Sequence, residues 1–362
     1  MTDLLDVLLL ISASSSQPRK LWNAFERLGE PPEVFLRGGS SLWARLGCSP
    51  ASVAAMESHL AEEGPKRERD RAERAGARLV PLGSDDYPPS LRGIPDSPVL
   101  LYVRGAWPLS GPVTAVVGTR RCSSYGRRVA SEIGSALGAR DEVVVSGGAD
   151  GIDGAAHEGC LSAGGRTAAV FGTGVDVVYP GGHDGLFERI LGAGGALVSE
   201  YPMGTPPRPW RFPERNRIIA GLSERLVVVE APMRSGAMST ARFALEYGRE
   251  VWAVPGRITE DICAGSNRLL FDGAHPLVSV ADFAGLGGGQ LSLFGGEVRD
   301  APMTANEGVL LAILREKGEK TVDNLAIEGT MTPADVFSAL ATLAASGYVF
   351  SSGPGRWSAV PE

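Results

Sequence analysis

The stretch from Gly204 to Ser223, GTPPRPWRFPERNRIIAGLS, gathers residue types that suit contact with a charged polymer. Prolines 206, 207, 209 and 213 hold the backbone extended, and Trp210 and Phe212 are large aromatics without periodic apolar partners. Arg208, Arg211, Arg215 and Arg217 are opposed only by Glu214. Arginine can track phosphates while a base stacks on a ring for roughly 1 to 3 kcal/mol, so the pattern points to single-stranded nucleic acid. One of the two aromatics is expected to pack under the proline loop instead. Arg215 and Arg217 lie about 200° apart around a helix and cannot share a face. One is expected to meet phosphate, the other to pair internally with Glu230.

Two further loops could hold phosphate. In SGGADGID, Ser146 and the glycines 147, 148 and 151 allow a tight turn with exposed N–H groups, and Asp153 is placed to cap a helix beginning at Gly154. In GTRRCSSYGRR, Gly118 opens a turn followed by four arginines and no acid. Arg120, two residues past a strand, and Arg121 are expected at the binding edge, with Arg127 and Arg128 turned to solvent. Neither loop matches a dinucleotide fingerprint or a P-loop, which disfavours a nicotinamide or ATP enzyme. A hydrolytic alternative uses Asp153 and His157 one helical turn apart, with Asp150 and His183 as further metal ligands. Only 4 His and no dense carboxylate cluster speak against it, and no metal or other cofactor is expected. Glu246, behind the loop SGAMSTARFALE, could instead serve a nucleotide-cleaving hydrolase.

These loops need a scaffold. Short β-branched runs at Val113–Val117, Val143–Val145, Thr167–Phe171, Ala196–Val198, Leu226–Val229 and Val251–Val254 alternate with helical stretches, the mark of repeated βα units and a mostly parallel sheet. Such sheets bind ligands at their carboxyl ends, where the loops above fall. Residues 1–78 read as a small helical domain whose last segment, Glu62–Arg78, interleaves basic and acidic residues as a solvated helix does. GLGGGQLSLFGG reads as a linker, and residues 305–360 as three helices and a hairpin, a winged helix-turn-helix pattern.

The 362 residues carry a net charge of −7, so affinity for phosphate must come from local concentration of arginine. The N-terminus has Asp3 and Asp6 where a signal peptide carries basic residues, and no apolar run reaches the length of a membrane span, so a cytoplasmic protein is expected. Cys48, Cys122, Cys160 and Cys263 have no metal or disulfide spacing and read as small hydrophobes.

In order and spacing, VVGTRRCSSYG, VVSGGADGIDGAAHEGCL, FGTGVDVVYP, SEYPMGTPP, FPERNRIIAGLS, VVEAPMRSGAMSTARFALEYGREVWAVPG and GSNRLLFDGAHPLV resemble the DNA-processing protein A (DprA, also called Smf) family across about residues 85–283. The resemblance implies an α/β fold, an extended Rossmann-like and mostly parallel sheet. Here it is flanked by an N-terminal helical domain and a C-terminal winged helix. It also implies dimerisation, binding of single-stranded DNA, and loading of RecA recombinase during natural transformation and recombination; the motifs themselves assemble no nucleophile, base and electrophilic group at a usable spacing, so no catalysis is expected. By motif it puts the phosphate-gripping arginine on Arg120, the stacking phenylalanine on Phe212 and an anion-pocket loop on Ser235, Gly236, Ser239 and Thr240. Arg208 or Arg211 stands in for a family lysine, and Ala237 replaces a family serine.

With these the expected DNA contacts are Gly118, Arg120, Arg121, Ser146, Gly147, Gly148, Arg208, Arg211, Phe212, Arg215, Asn216, Arg217 and the anion-pocket four. The expected domains are 1–78 (helical, of SAM or helix-hairpin-helix type), 79–284 (Rossmann-like), 285–304 (linker) and 305–362 (winged helix). The alternative is a hydrolase of the lysine-decarboxylase-like, nucleoside monophosphate phosphoribohydrolase type. Those proteins carry Pro-Gly-Gly-x-Gly-Thr where this chain has Ser235-Gly236-Ala237-Met238-Ser239-Thr240. Leu269, Leu270 and Phe271 are consecutive apolar residues that cannot all face one core, and one is expected at a homodimer interface. The expected recognition helix, Thr332–Ser346, has no Lys or Arg, so the C-terminal unit is expected to contact protein or to cover the central domain rather than to bind DNA.

Overall fold

The computed structural model describes residues 2–285, 304–345, 348–353 and 356–359. The chain divides into two compact units after Ala284. Most of the expected linker, residues 286–303, lies outside the described residues, as do Ser346 of the expected recognition helix and Pro354 and Gly355 of the expected turn.

Five helices open the first unit: α1 (Thr2–Ser14), α2 (Pro18–Glu26), α3 (Pro32–Arg45), α4 (Pro50–Ala61) and α5 (Gly64–Arg74). Each of α2 to α5 has a proline in its first turn, where a missing N–H leaves no helical bond unmade. Val7 to Ile11 are buried on every side of α1, which packs against α3, α4, α5 and the sheet. A helix apolar all round must lie inside, and this one joins the helical segment to the sheet in one continuous core. Residues 1–78 are thus part of the first unit rather than a separate one. Nor is α5 wholly solvated: Glu68 is buried and accepts the Met203 amide at 2.6 Å, and Arg69 pairs with Asp6 on α1 at 2.6 Å.

The sheet and its helices follow as β1 (Arg78–Pro81), α6 (Pro89–Arg92), β2 (Leu100–Gly105), β3 (Val113–Val117), α7 (Ser124–Gly138), β4 (Val143–Ser146), α8 (Ile152–Ser162) and β5 (Thr167–Val170). Then come α9 (Asp184–Gly192), β6 (Ala196–Ser199), α10 (Arg211–Leu222), β7 (Arg225–Val228), α11 (Gly236–Glu246), β8 (Glu250–Ala253), α12 (Ala264–Phe271), β9 (His275–Pro276) and α13 (Val280–Phe283). All six expected strands are present, in the order β1-β2-β6-β5-β4-β3-β7-β8-β9. From β6 to β9 every pairing is parallel, while β1 and β2 add antiparallel pairings at one edge. Strands β3 to β6 are buried at every residue, which is why they read as unbroken apolar runs. The winding reverses between β3 and β7, so the loops leaving these neighbours diverge and open a crevice at their carboxyl ends.

The second unit contains α14 (Ala305–Lys317), β10 (Lys320–Thr321), α15 (Val322–Gly329), α16 (Pro333–Ala345), β11 (Val349–Gly353) and β12 (Arg356–Ala359). Its antiparallel sheet has the order β10-β12-β11, over a core that includes Leu310, Leu314, Leu325, Val336 and Leu340. These are the elements a winged helix needs, and we carry that assignment as a proposal. No helix of the described residues is long and apolar enough to cross a membrane.

Candidate nucleic-acid interface

The loop from β3 to α7 carries Arg120 and Arg121, both exposed. Gly118 lets it pass under α8: a Cβ there would stand 2.5 Å from Ile152 Cγ1 and 2.8 Å from the Glu230 carbonyl. The far end is fastened by Glu230, which is buried and accepts the Ser123 amide at 2.9 Å and the Ser123 hydroxyl at 2.5 Å. Its carboxylate is therefore committed to the start of α7, and the expected pairing of Glu230 with an arginine is not found. Arg127 and Arg128 are exposed, as expected.

In the second loop α8 starts at Ile152 with Gly151 as its cap, so Asp153 is not the N-cap. Its buried carboxylate reaches back to accept the Gly147 amide at 3.1 Å, while buried Arg215 donates to the Gly147 carbonyl at 2.9 Å. The two groups grip one residue from both sides, and a Cβ on Gly147 would lie 2.7 Å from each. Burial pushes the Asp153 carboxyl up, opposed by the positive field of Arg215. Burial lowers the Arg215 guanidinium to about 10, with Asp153 opposing the shift.

The residues of the imagined metal site are otherwise engaged. His157 Nδ1 donates to Thr167 Oγ1 at 2.6 Å, because the hydroxyl proton of Thr167 goes to the Val144 carbonyl. Burial holds its imidazole down at about 3, so the ring is neutral. His183 donates to the Gly148 carbonyl at 3.0 Å and its other ring nitrogen lies 3.2 Å from Asp150. Among the described residues no group of three or more His, Cys, Asp or Glu is placed to hold a metal ion.

The third segment turns into α10 at Arg211, so the expected loop ends at Trp210 and Phe212 is in the first turn of the helix. Phe212 lies 5.1 Å from the Tyr179 ring and 5.2 Å from the Arg120 guanidinium, over the bare backbone of Gly172. Trp210 is the exposed aromatic, at 58%, with Arg208 5.9 Å from its ring. Asn216 donates to the Gly236 carbonyl and to Ser239 Oγ, both at 3.0 Å. Ser239 and Thr240 also donate to that carbonyl, at 2.7 and 3.2 Å, so three side chains hold one peptide at the start of α11. Ser235 caps the helix by accepting the Met238 amide. The donors left for an anion there are the first-turn amides of Gly236 and Ala237, helped by the helix dipole.

These parts enclose a cleft of about 670 Å³ between the carboxyl ends of β3 and β7, lined by Gly118, Arg120, Arg121, Arg208, Phe212, Arg215, Asn216, Ser235, Gly236 and Thr240 among others. Its charged residues are five arginines and the buried Asp153. Arg120, Arg121, Arg208 and Arg234 enter no ion pair among the described residues. Gly147 lines a small adjoining hollow with Arg120, Phe212 and Arg215. Among the lining residues not expected from the sequence are Tyr179, in the stretch FGTGVDVVYP, and Arg234, just before the anion-pocket loop.

Other expected contacts lie outside the cleft. Ser146 is buried and donates to the Val116 carbonyl at 2.6 Å, and Gly148, at φ +66°, packs against Phe187. Ser239 acts through Asn216 and the Gly236 carbonyl. Arg211 donates to the Pro206 carbonyl at 2.6 Å and lies over Tyr201. Arg217 makes a two-pronged pair with Glu200, at 2.8 and 2.6 Å, and approaches Asp96 at 3.4 Å. Arg217 is therefore the internally paired arginine and Arg215 the one at the cleft. Glu246 pairs with Arg242 at 3.5 Å near the far end of α11, away from the cleft. Of the apolar trio, Leu269 is buried and Phe271 is 81% exposed.

The fold and the site together define a Rossmann-like α/β protein with an arginine-lined, aromatic-rimmed cleft at the switch point of its sheet. Residues 78–286 match the family model of DNA recombination-mediator protein A, and the chain belongs to that family. A Mycobacterium tuberculosis relative, provisionally named DNA processing protein DprA, is 35% identical over 93% of both chains. The DNA processing protein DprA of Bacillus subtilis is 37% identical over 64% of this chain and 78% of its own. The structure of DNA processing protein A from Streptococcus pneumoniae aligns with a TM-score of 0.67 at 34% identity, over 79% of this chain and 98% of that one. That of the Helicobacter pylori protein, described for its single-stranded DNA binding mode, gives 0.53 at 29% identity over 59% and 96%.

Proposed function

We propose that this chain binds single-stranded DNA in the cleft between β3 and β7, with little sequence preference and without breaking a bond. Arg120, Arg121, Arg208 and Arg234 take phosphates, the first-turn amides of α11 take one more, and a base stacks on Phe212. The observation that carries the reading is four arginines that enter no ion pair among the described residues, around a half-buried phenylalanine, in a chain whose net charge is negative. Membership of a recombination-mediator family and the DNA binding of the Helicobacter pylori relative support it. In the cell the bound strand would be protected and passed to RecA recombinase during transformation and recombination, by a cytoplasmic homodimer that uses Phe271 at its interface.

Fluorescence anisotropy with labelled oligothymidine over a range of salt tests the reading. Each phosphate that the protein ceases to neutralise lowers the slope of log affinity against log salt by about 0.7 on a single strand. Arg120→Ala and Arg234→Ala should each weaken binding and lower the slope by about that amount. Wild-type affinity in both variants would place the DNA elsewhere.

A further inference from the structure

A second groove, of about 1030 Å³, adjoins the first. It is lined by α2, by the segment before β2 and by the connection from β6 to α10. The first turns of α10 and the residues just before it form the wall between the two grooves. Arg208, Phe212 and Arg215 line the first groove, while Trp210, Arg211 and Arg217 line the second. Trp210 stands exposed on the wall, and the guanidinium of Arg208 reaches over its ring from the other side.

The charges of the second groove are lopsided in what they leave free. Its four carboxylates are all engaged: Glu68 with the Met203 amide, Glu200 and Asp96 with Arg217, and Glu214 with the Tyr201 hydroxyl. Three of its cations are not. Arg19, Lys20 and Arg27, all on α2 or its C-cap, enter no ion pair among the described residues. Arg19 Nε and Nη1 are shielded from solvent and have no hydrogen-bond partner among the described residues.

We infer that the second groove is a continuation of the DNA path, in which the strand leaves the first cleft over Trp210 and its next phosphates are held by Arg19, Lys20 and Arg27. This rests on the function proposed above. The wall is one helix wide, about 10 Å, so a strand held in the first cleft can cross it within a few nucleotides. An unpaired base can stack on Trp210 as it does on Phe212, because stacking needs no particular sequence. The N-terminal helices thereby lengthen the footprint of the sheet domain.

The test compares the full-length protein on oligothymidines of about six and about twenty nucleotides, the shorter sized for one cleft. Lys20→Glu/Arg27→Glu reverses two exposed charges that enter no ion pair among the described residues, and urea unfolding checks that the variant is folded. On the longer strand it should weaken binding by tenfold or more and flatten the salt dependence, while binding of the shorter strand stays within twofold. Arg19→Ala should act in the same direction, and Arg120→Ala should weaken both lengths. Equal loss at both lengths for Lys20→Glu/Arg27→Glu, or no loss at either, overturns the extended path while leaving the first cleft standing. Six-nucleotide binding that ignores Arg120→Ala overturns the first cleft, and the extension with it.

Discussion

Replacing Phe212 by alanine removes a ring that Arg120 covers from one side at 5.2 Å and Tyr179 flanks at 5.1 Å. If a base stacks there, the loss is about 1 to 3 kcal/mol, and the loosened Arg120 adds up to about 1 kcal/mol for being ordered anew on binding. A central value of about 2 kcal/mol corresponds to roughly thirtyfold in Kd. The salt slope should stay within experimental scatter of wild type, because stacking releases no counterion. Gly172→Ala is a second route to the same effect, since its Cβ would stand 2.9 Å from Phe212 Cδ1 and must displace the ring without removing it. Anisotropy at three or more salt concentrations, with urea unfolding to confirm that the variants are folded, measures both quantities. A loss below threefold in Phe212→Ala, or a slope change as large as that of Arg120→Ala, would refute the stacking role.

Arg217→Ala should lower stability by about 3 kcal/mol, since it leaves Glu200 without its two-pronged partner, yet short-strand binding should be unchanged in the folded protein; urea midpoints and anisotropy check both. Gly147→Ala should weaken both stability and binding, by roughly 2 to 4 kcal/mol in stability, because its methyl would collide with Arg215 and Asp153 together. The His157 imidazole is held down at about 3 in the fold against 6.5 for an ordinary histidine. The unfolded chain therefore takes up a proton first, and stability present above about 6.5 is lost as pH falls toward 3, with a contribution of up to about 1.4 kcal/mol per pH unit. Stability against pH for His157→Gln should lack that contribution. Deletion of residues 300–362 should leave single-strand binding in place, and the isolated piece should not bind duplex DNA at physiological salt.

The parallel strands were legible because both their faces are covered, so each is a run of β-branched residues with no polar alternation to blur its limits. The antiparallel edge was not: Leu100–Val103 is as buried as β3 but falls outside the regular βα spacing, and β9 is only two residues long. The apolar run in α1 announces burial, but nothing in it says that the cover is the sheet. Helical geometry was enough to separate Arg215 from Arg217. Their partners were not readable, because Asp153, Asp96 and Glu200 come from distant segments that only the folded sheet brings near. Likewise the resemblance marked Ser239 and Thr240 as anion contacts, whereas their hydroxyls are directed to the Gly236 carbonyl and only the geometry of the α11 start reveals it. Arg234 stands immediately before the anion-pocket loop Ser235–Thr240.

The most direct test of the cleft is photo-crosslinking of the full-length protein to a single strand carrying iodouracil, with the attached peptides identified by mass spectrometry. Halogenated bases couple to rings they stack on, so the account predicts adducts on Phe212 and Tyr179, with Trp210 joining them on longer strands, all suppressed by Arg120→Ala. Adducts confined to residues 304–359, or spread over the surface and indifferent to Arg120, would contradict it.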